Sequence, residues 1–502
     1  MKFYIAIFVF LAFSSGVSAD VPDCPGPFNP PNNISTQVVY PVSDSLVTFP
    51  TGYNCVYQIN VPPGWSSHLV VTVFSSSNTT SAPIVQIIDF NQKVENYTSY
   101  RWFQKYYFIA PGGKIKLSTQ SANSFRTKKP NNASFDTTLP RVSGITVYQP
   151  TFLNVSASDS QPSMVNVSYV NCRVTAETRV SVITMPLDDN WLTRDQADNL
   201  RSVLIFDGPN ENSTCLGTAY QLWNSNRQFV STGKTLTIVQ LQPLPYVSRS
   251  QMLIQDFENT KEIGQYRGVG SLGDRPIVMD ASKQAAAFST YSDAGSSSDC
   301  LLNITGTGTL NVYYGGKTDS KSNLIASYSA SSNSLNLPQK IRGVVRTYVL
   351  TGGIATVQIE LNSACNKLTK NVAGFITSPE YKTNLTLPYT SDSQHYYSDG
   401  PFKYTFTVQD VDLSQNKSLQ ISIYNKQTSG FVSVVYNSSN PPILNTVFSG
   451  VGNEMDVIYS SPNSNAKKGG FYIDFTATKT KESAAKFFGV IVICAIISSR
   501  LF

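Results

Sequence analysis

The chain has 502 residues, 41% of them hydrophobic and only 14% charged, against a usual charged share of about 25%. Its 38 Lys and Arg against 32 Asp and Glu leave a net charge of +6 with no dense basic cluster, which excludes the electrostatic footprint of a nucleic-acid-binding protein. Few charges with abundant Ser, Thr, Tyr, Phe and Val suit extracellular β-sheet, and the length corresponds to three or four domains at about 100–200 residues each.

The first 19 residues read as a secretory signal peptide. Lys2 supplies the positive start, Phe3 to Phe13 the apolar run, and Val17-Ser18-Ala19 the small-x-small cleavage site. A retained first transmembrane helix is the alternative. Removing Lys2 here, and Lys486 and Arg500 at the far end, takes the net charge from +6 to +3, with no acidic residue lost.

A first module is expected over 20–150. "CVYQINVPPGWSSHLVVTVF" (55–74) reads as two strands around a turn at Pro62-Pro63-Gly64. "PIVQIIDF" (83–90) and "YYFIAPGGKIKLST" (106–119) continue the pattern, the second broken at Pro111-Gly112-Gly113. Short strands punctuated by turns every ten residues or so predict an all-β fold of tandem antiparallel modules, each a β-sandwich or a barrel. The aromatic-rich "NYTSYRWFQKYYF" (96–108) reads either as one buried strand or as an exposed surface for sugar or protein contact.

A second module is expected over 151–257, on "SVLIFDGPNENSTCLG" (202–217) and "FVSTGKTLTIVQL" (229–241). The Gly/Ser-rich stretch 258–298 shows no sustained alternation and is expected to be a linker with an irregular lead-in strand. "GTLNVYYGGK" (308–317) and "GGIATVQIEL" (352–361) are strand-like and predict a degenerate β module over 299–365. A last module is expected over 366–478, on "TFTVQDVDL", "SLQISIY", "NEMDVIYSS" and "GGFYIDF", followed by a processing region over 479–502.

These residues carry a resemblance. A cysteine opening a strand, an aromatic two residues on, and then "INVPPG" resemble the start of a CUB domain, in the CUB-like form common in nematode secreted proteins. The stretch 202–241 is similar to the later half of such a domain, and "GFITSPEYKTNLTLPY" (374–389) to its opening. The copy at 371–478 departs from the pattern in having no internal cysteine. The resemblance implies β-sandwiches in a secreted or GPI-anchored, stress- and pathogen-responsive glycoprotein, associated with innate immunity and membrane rafts. A structural matrix or glycocalyx protein and, more remotely, a secreted hydrolase are the alternatives.

Of seven cysteines, Cys494 lies in the apolar tail and six remain for an oxidising compartment. Proximity favours Cys24–Cys55, Cys172–Cys215 and Cys300–Cys365, one bridge per segment and about 3–4 kcal/mol each in a chain-entropy model; bridges between segments stay open. Asn-x-Ser/Thr acceptors at Asn33, Asn78, Asn96, Asn132, Asn154, Asn166, Asn212, Asn303, Asn384, Asn416 and Asn437 predict a solvated lumenal surface, with more than half glycosylated.

Catalysis is hard to assemble from this inventory. The two histidines are His68, at the head of a strand, and His395, in the Ser/Asp/Tyr-rich "SDSQHYYSDG" with no nucleophile elbow beside it. No HExxH, P-loop or zinc-type Cys/His cluster occurs, and no cofactor is expected. Some CUB domains bind calcium. Asp207 matches the family's Asp-Gly, but Arg201 stands where the calcium-binding members have another Asp, so that site is not expected. Asp188, Asp189, Asp410 and Asp412 are read as solvated loop acids rather than cation ligands.

The chain ends "SAAKFFGVIVICAIISSRLF", whose apolar run from Phe487 to Ile497 is short against the about 20 residues of a spanning helix. Behind a signal peptide it reads as a GPI-attachment signal, with Ser483 in Ser483-Ala484-Ala485 as the expected lipid-anchor site. Ala477 has the better spacer but places Lys479 where a small residue is wanted. A short retained transmembrane segment and free secretion are the alternatives. The expected partners are an extracellular protein or glycan, and the membrane through the anchor.

Overall fold

The computed structural model describes residues 23–24, 26–27, 47–49, 52–63, 66–73, 85–97, 101–118, 125–127, 152–166, 171–185, 200–241, 250–270, 275–292, 298–361, 365–379, 381–383, 385, 391–414, 416–426, 429–460 and 469–480. The expected signal peptide, Ser483 and the whole tail lie outside them. Contacts divide the chain into two units, 1–145 and 146–502.

In the first unit, strands Asn54–Asn60, Gly112–Ser118, Val85–Ile88 and Val94–Tyr97 form an antiparallel sheet in that order, and Ser66–Val73 pairs with Arg101–Ile109. Alternation does what it predicts. Cys55, Tyr57 and Ile59 turn inward while Val56 faces solvent. Tyr97, Tyr106 and Phe108 join the core, so these members of the aromatic-rich stretch are buried strand residues rather than exposed platforms. The crossing from Arg101–Ile109 to Gly112–Ser118, which lie in different sheets, needs Gly112: its φ is +111°, and a Cβ there would sit 1.9 Å from the Ile59 carbonyl oxygen. Cys24 and Cys55 are bonded, with Cα atoms 5.3 Å apart.

The second unit holds three sandwiches. The first packs a sheet ordered Thr214–Thr218, Val203–Asp207, Thr235–Gln240, Asn171–Ala176, Phe152–Ala157 against another ordered Ser163–Asn166, Gln251–Asp256, Val180–Met185, Phe229–Val230. One short helix, Ala219–Asn224, starts with Thr218 as its cap and Gln221 reaching back to the Thr218 amide.

The expected pair Cys172–Cys215 is not made. Both residues lie in the five-stranded sheet, Cys172 opposite Ile238 and Cys215 opposite Phe206, on strands three places apart. Three inter-strand spacings amount to about 14 Å, far beyond the Cα separation a disulfide tolerates. Burial pushes the Cys172 thiol up to about 12, which keeps it protonated. Cys215 Sγ donates to the Gly217 carbonyl at 3.8 Å.

The stretch 258–298 is not a linker. It supplies strands Ile263–Val269, Arg275–Ala281 and Ala285–Tyr291, and the second sandwich runs from 263 to 361 rather than as a degenerate module from 299. Its Gly and Ala residues mark close packing. A Cβ at Gly268 would meet the Thr184 carbonyl oxygen at 2.0 Å, and Ala281, Ala286 and Ala287 are all buried. Cys300 and Cys365 are bonded here, with Cα atoms 5.5 Å apart.

The third sandwich is one six-stranded sheet folded over its own core. Strand Ser391–Val411 pairs with Val447–Ser460 on both sides of a break between Tyr397 and Phe402, and its later part also pairs with Phe471–Lys479. The two halves thereby face each other across Tyr396, Tyr404, Leu419, Ile421, Val457 and Ile473.

Within this unit the sandwiches share buried side chains. Ile183, Met185 and Leu253 of the first pack with Tyr266, Ala287, Tyr313 and Val349 of the second. Gln255 Nε2 donates to the Tyr266 hydroxyl at 3.1 Å, beside Ser289 at 3.0 Å. Between second and third, Phe375 enters the second sandwich's core. Gln339 acts like a strand neighbour: it donates to the Phe375 carbonyl at 2.7 Å and accepts from the Phe375 amide at 3.1 Å. Arg342 pairs with Asp392, their side chains only 3% and 1% exposed, and Gln394 Nε2 donates to the other Asp392 oxygen at 2.9 Å.

Two outcomes follow. Peptide mapping without reduction should join Cys24 to Cys55 and Cys300 to Cys365; a peptide joining Cys172 to Cys215 would contradict the register of the first sheet. Arg342→Met strands the Asp392 carboxylate in a dry seam and should lower stability by about 3–5 kcal/mol in denaturant titrations, whereas adding Asp392→Leu should restore most of it.

Candidate binding groove

Along the seam of the second and third sandwiches runs an open groove of about 490 Å³. Its floor is the outer face of the strands Val372–Thr377, Phe471–Lys479 and Ser391–Val411, and one wall is the strand Leu324–Ser329. The floor follows from alternation in "FYIDFTATK": Phe471, Ile473, Phe475 and Ala477 are buried, which leaves Tyr472, Asp474 and Thr476 on the outer face. Register sets Thr405 opposite Thr476, and Thr407 opposite Asp474.

Tyr472 is half-buried, its ring stacked on Phe375 at 5.5 Å and 16°. Burial, and then neighbouring Asp474, pushes its phenol up to about 12, so it stays a neutral donor. Asp474 Oδ2 accepts from Gln409 Nε2 at 2.7 Å. Tyr328 is 6% exposed and its hydroxyl has no hydrogen-bond partner among the described residues. Burial drives its phenol well above the ordinary tyrosine range. Ser327 and Asn336 add a hydroxyl and an amide, so among the described residues the lining offers neutral polar groups, one carboxylate and no cationic side chain.

Beside the seam, Lys340 lies opposite Cys300, and Asn366 follows Cys365 of the same disulfide. That bridge brings the two together: Lys340 Nζ donates to Asn366 Oδ1 at 2.9 Å, with the Tyr396 ring centre 5.8 Å away. Desolvation, and then Arg342, lowers the amine to about 8.

The residues singled out from sequence are dispersed. His395 Nδ1 meets Asp456 Oδ1 at 2.6 Å and stacks on Tyr397, an exposed cross-strand contact far from an elbow-held nucleophile. His68 lies in a strand, and its side chain falls outside the described set. Asp207 accepts from the Thr232 amide at 2.8 Å, while Arg201 is buried with its guanidinium 3.8 Å above the Tyr220 ring. Asp412 is bound to Lys417 Nζ at 2.6 Å and to the Ser414 amide. Asp410 bonds Tyr381, and Asp188 and Asp189 lie outside the described residues. Among the described residues no three His, Cys, Asp or Glu converge as metal ligands.

Of the glycan acceptors, Asn96, Asn154, Asn212, Asn303 and Asn416 are exposed, Asn166 and Asn437 half-buried, and Asn33, Asn78, Asn132 and Asn384 outside the described residues. Asn437 uses its carbonyl oxygen to accept from the Ser439 and Asn440 amides, both at 2.9 Å. The groove residues carried no motif. Their one sequence signal is the outward-facing set Tyr472, Asp474 and Thr476, and its meaning depends on a neighbour distant in the chain.

Residues 19–129 match the family of CUB-like domains, while 154–241 and 258–362 match two domains of unknown function, DUF7592 and DUF7591. The second module, expected to be CUB-like, thus matches a different family, and the third match spans both the expected linker and the strands after it. No curated protein matches the chain. Among solved structures, the human MASP-1/3 CUB1-EGF-CUB2 domain is 10% identical, covering 41% of this chain and 99% of its own, with a TM-score of 0.16. The rat MASP-1 CUB1-EGF-CUB2 domains are 11% identical, covering 64% and 99%, with the same TM-score of 0.16. CUB-like domains are extracellular interaction modules, and no enzyme family is indicated.

The buried amine gives a pH signature. Between about 8 and 10.5 the unfolded chain holds more protons on Lys340 than the folded one, so this group's destabilising contribution is full below pH 8 and disappears as pH rises to 10.5. Lys340→Met should therefore be more stable than the parent by roughly 2–3 kcal/mol near neutral pH, with the gap closing on the alkaline side. A gap that stays constant with pH would contradict it.

Proposed function

We propose that the protein is a non-catalytic extracellular recognition glycoprotein, held on the outer face of the plasma membrane by a lipid anchor at or near Ser483 and acting in innate immune or stress defence. The groove carries the recognition part of this reading. It is an open site on rigid strands of two sandwiches, with orienting polar groups on its floor. The CUB-like match over 19–129 and the Cys24–Cys55 bridge support an extracellular setting. No helix among the described residues is long and apolar enough to cross a membrane. The anchor rests on the tail sequence, and the defence role on the family resemblance of the first module; the partner is an extracellular protein or glycan.

Phosphatidylinositol-specific phospholipase applied to intact expressing cells should release the protein, and the released full chain, fluorescently labelled, should bind microbial or host surfaces saturably. Retention with the 487–497 peptide still attached would overturn the anchor. Absence of saturable binding to any surface tested would overturn recognition.

A further inference from the structure

We propose that the groove binds a neutral oligosaccharide, with a sugar face against the Tyr472 ring and sugar hydroxyls bonded to Asp474, Thr405 and Thr407. This rests on the recognition reading above and names its ligand class.

Charge narrows the ligand first. Among the described residues no Lys or Arg lines the groove, so phosphate, sulfate and uronic acid groups would meet Asp474 without a counter-charge there. Asp474 in turn is held by neutral donors, Gln409 Nε2 at 2.7 Å and the Tyr472 phenol, not by a cation. An ionised carboxylate has acceptor sites to spare after two such bonds, and hydroxyl groups are its strong, short partners.

The floor fits hydroxyl groups in its spacing as well. Thr405 and Thr476 are directly opposite across the ladder, and Thr407 lies two residues on, beside Asp474. Neighbours therefore sit about 5 Å apart across strands and about 7 Å along them, on a sheet whose rigidity keeps the ordering entropy of binding small. Each threonine both donates and accepts, as each sugar hydroxyl does. Ile325, Ala326, Ala373 and the stacked Tyr472 provide the apolar surface that the C–H faces of a pyranose require.

The Tyr328 hydroxyl, closed to solvent and without a partner among the described residues, lies behind this lining and is not one of the ligand's contacts. The competing occupant is a peptide added as a strand to Leu324–Ser329, which is the edge of its sheet.

The test uses the full chain purified from expressing cells, titrated calorimetrically with laminarin, chitin and mannan oligosaccharides, a heparin oligosaccharide and an extended neutral peptide. At least one neutral oligosaccharide should bind, and heparin should not. Thr405→Val and Asp474→Ala, both on the surface, should weaken binding about tenfold or more with the melting temperature little changed. Binding of peptide alone, binding of sugar unaffected by these variants, or no sugar binding would each overturn the proposal. If variants and competing sugars leave cell-surface binding intact, the ligand class is wrong and recognition stands; if the parent binds no surface, recognition itself has failed.

Discussion

The buried contact of Arg342 with Asp392 is the constraint on which the functional part of the molecule depends. Two charges removed from water are tolerable only if geometry and further hydrogen bonds repay their desolvation, and Gln394 supplies one of those bonds. With Gln339 bonded to both backbone groups of Phe375, the pair ties the strand Gln339–Arg342 of one sandwich to the opening strands of the next. Neither sandwich can move at this seam without exposing a charge. The groove therefore has a fixed floor and a fixed wall, and a ligand of the proposed class would meet a surface that is already arranged.

The same logic explains the concentration of polar groups around the seam. The Lys340–Asn366 contact is set by the Cys300–Cys365 bridge, so a disulfide that closes one sandwich also positions a buried amine beside the next. Tyr328 and Tyr472, by contrast, gain no comparable partners within the protein beyond Asp474.

Strand identity was largely legible in the sequence because period-two alternation is local. "CVYQINV" and "GGFYIDF" each become strands whose buried residues are the alternate ones. The stretch 258–298 was misread because small residues carry little hydrophobic signal, although Gly268 and the alanines around 281–287 are small for close packing. Cys172–Cys215 failed for a different reason: sequence proximity says nothing about strand order, and here two strands intervene. The groove was illegible because its halves, 325–339 and 373–476, meet only through the seam.

Hydrogen exchange of the full chain, with and without the tightest-binding neutral oligosaccharide, addresses the central claim most directly. The account predicts slower exchange on both sides of the seam together, in Leu324–Ser329 and in Phe471–Lys479, with the first unit unchanged. Protection confined to residues 1–145, or to one side of the seam alone, would contradict it.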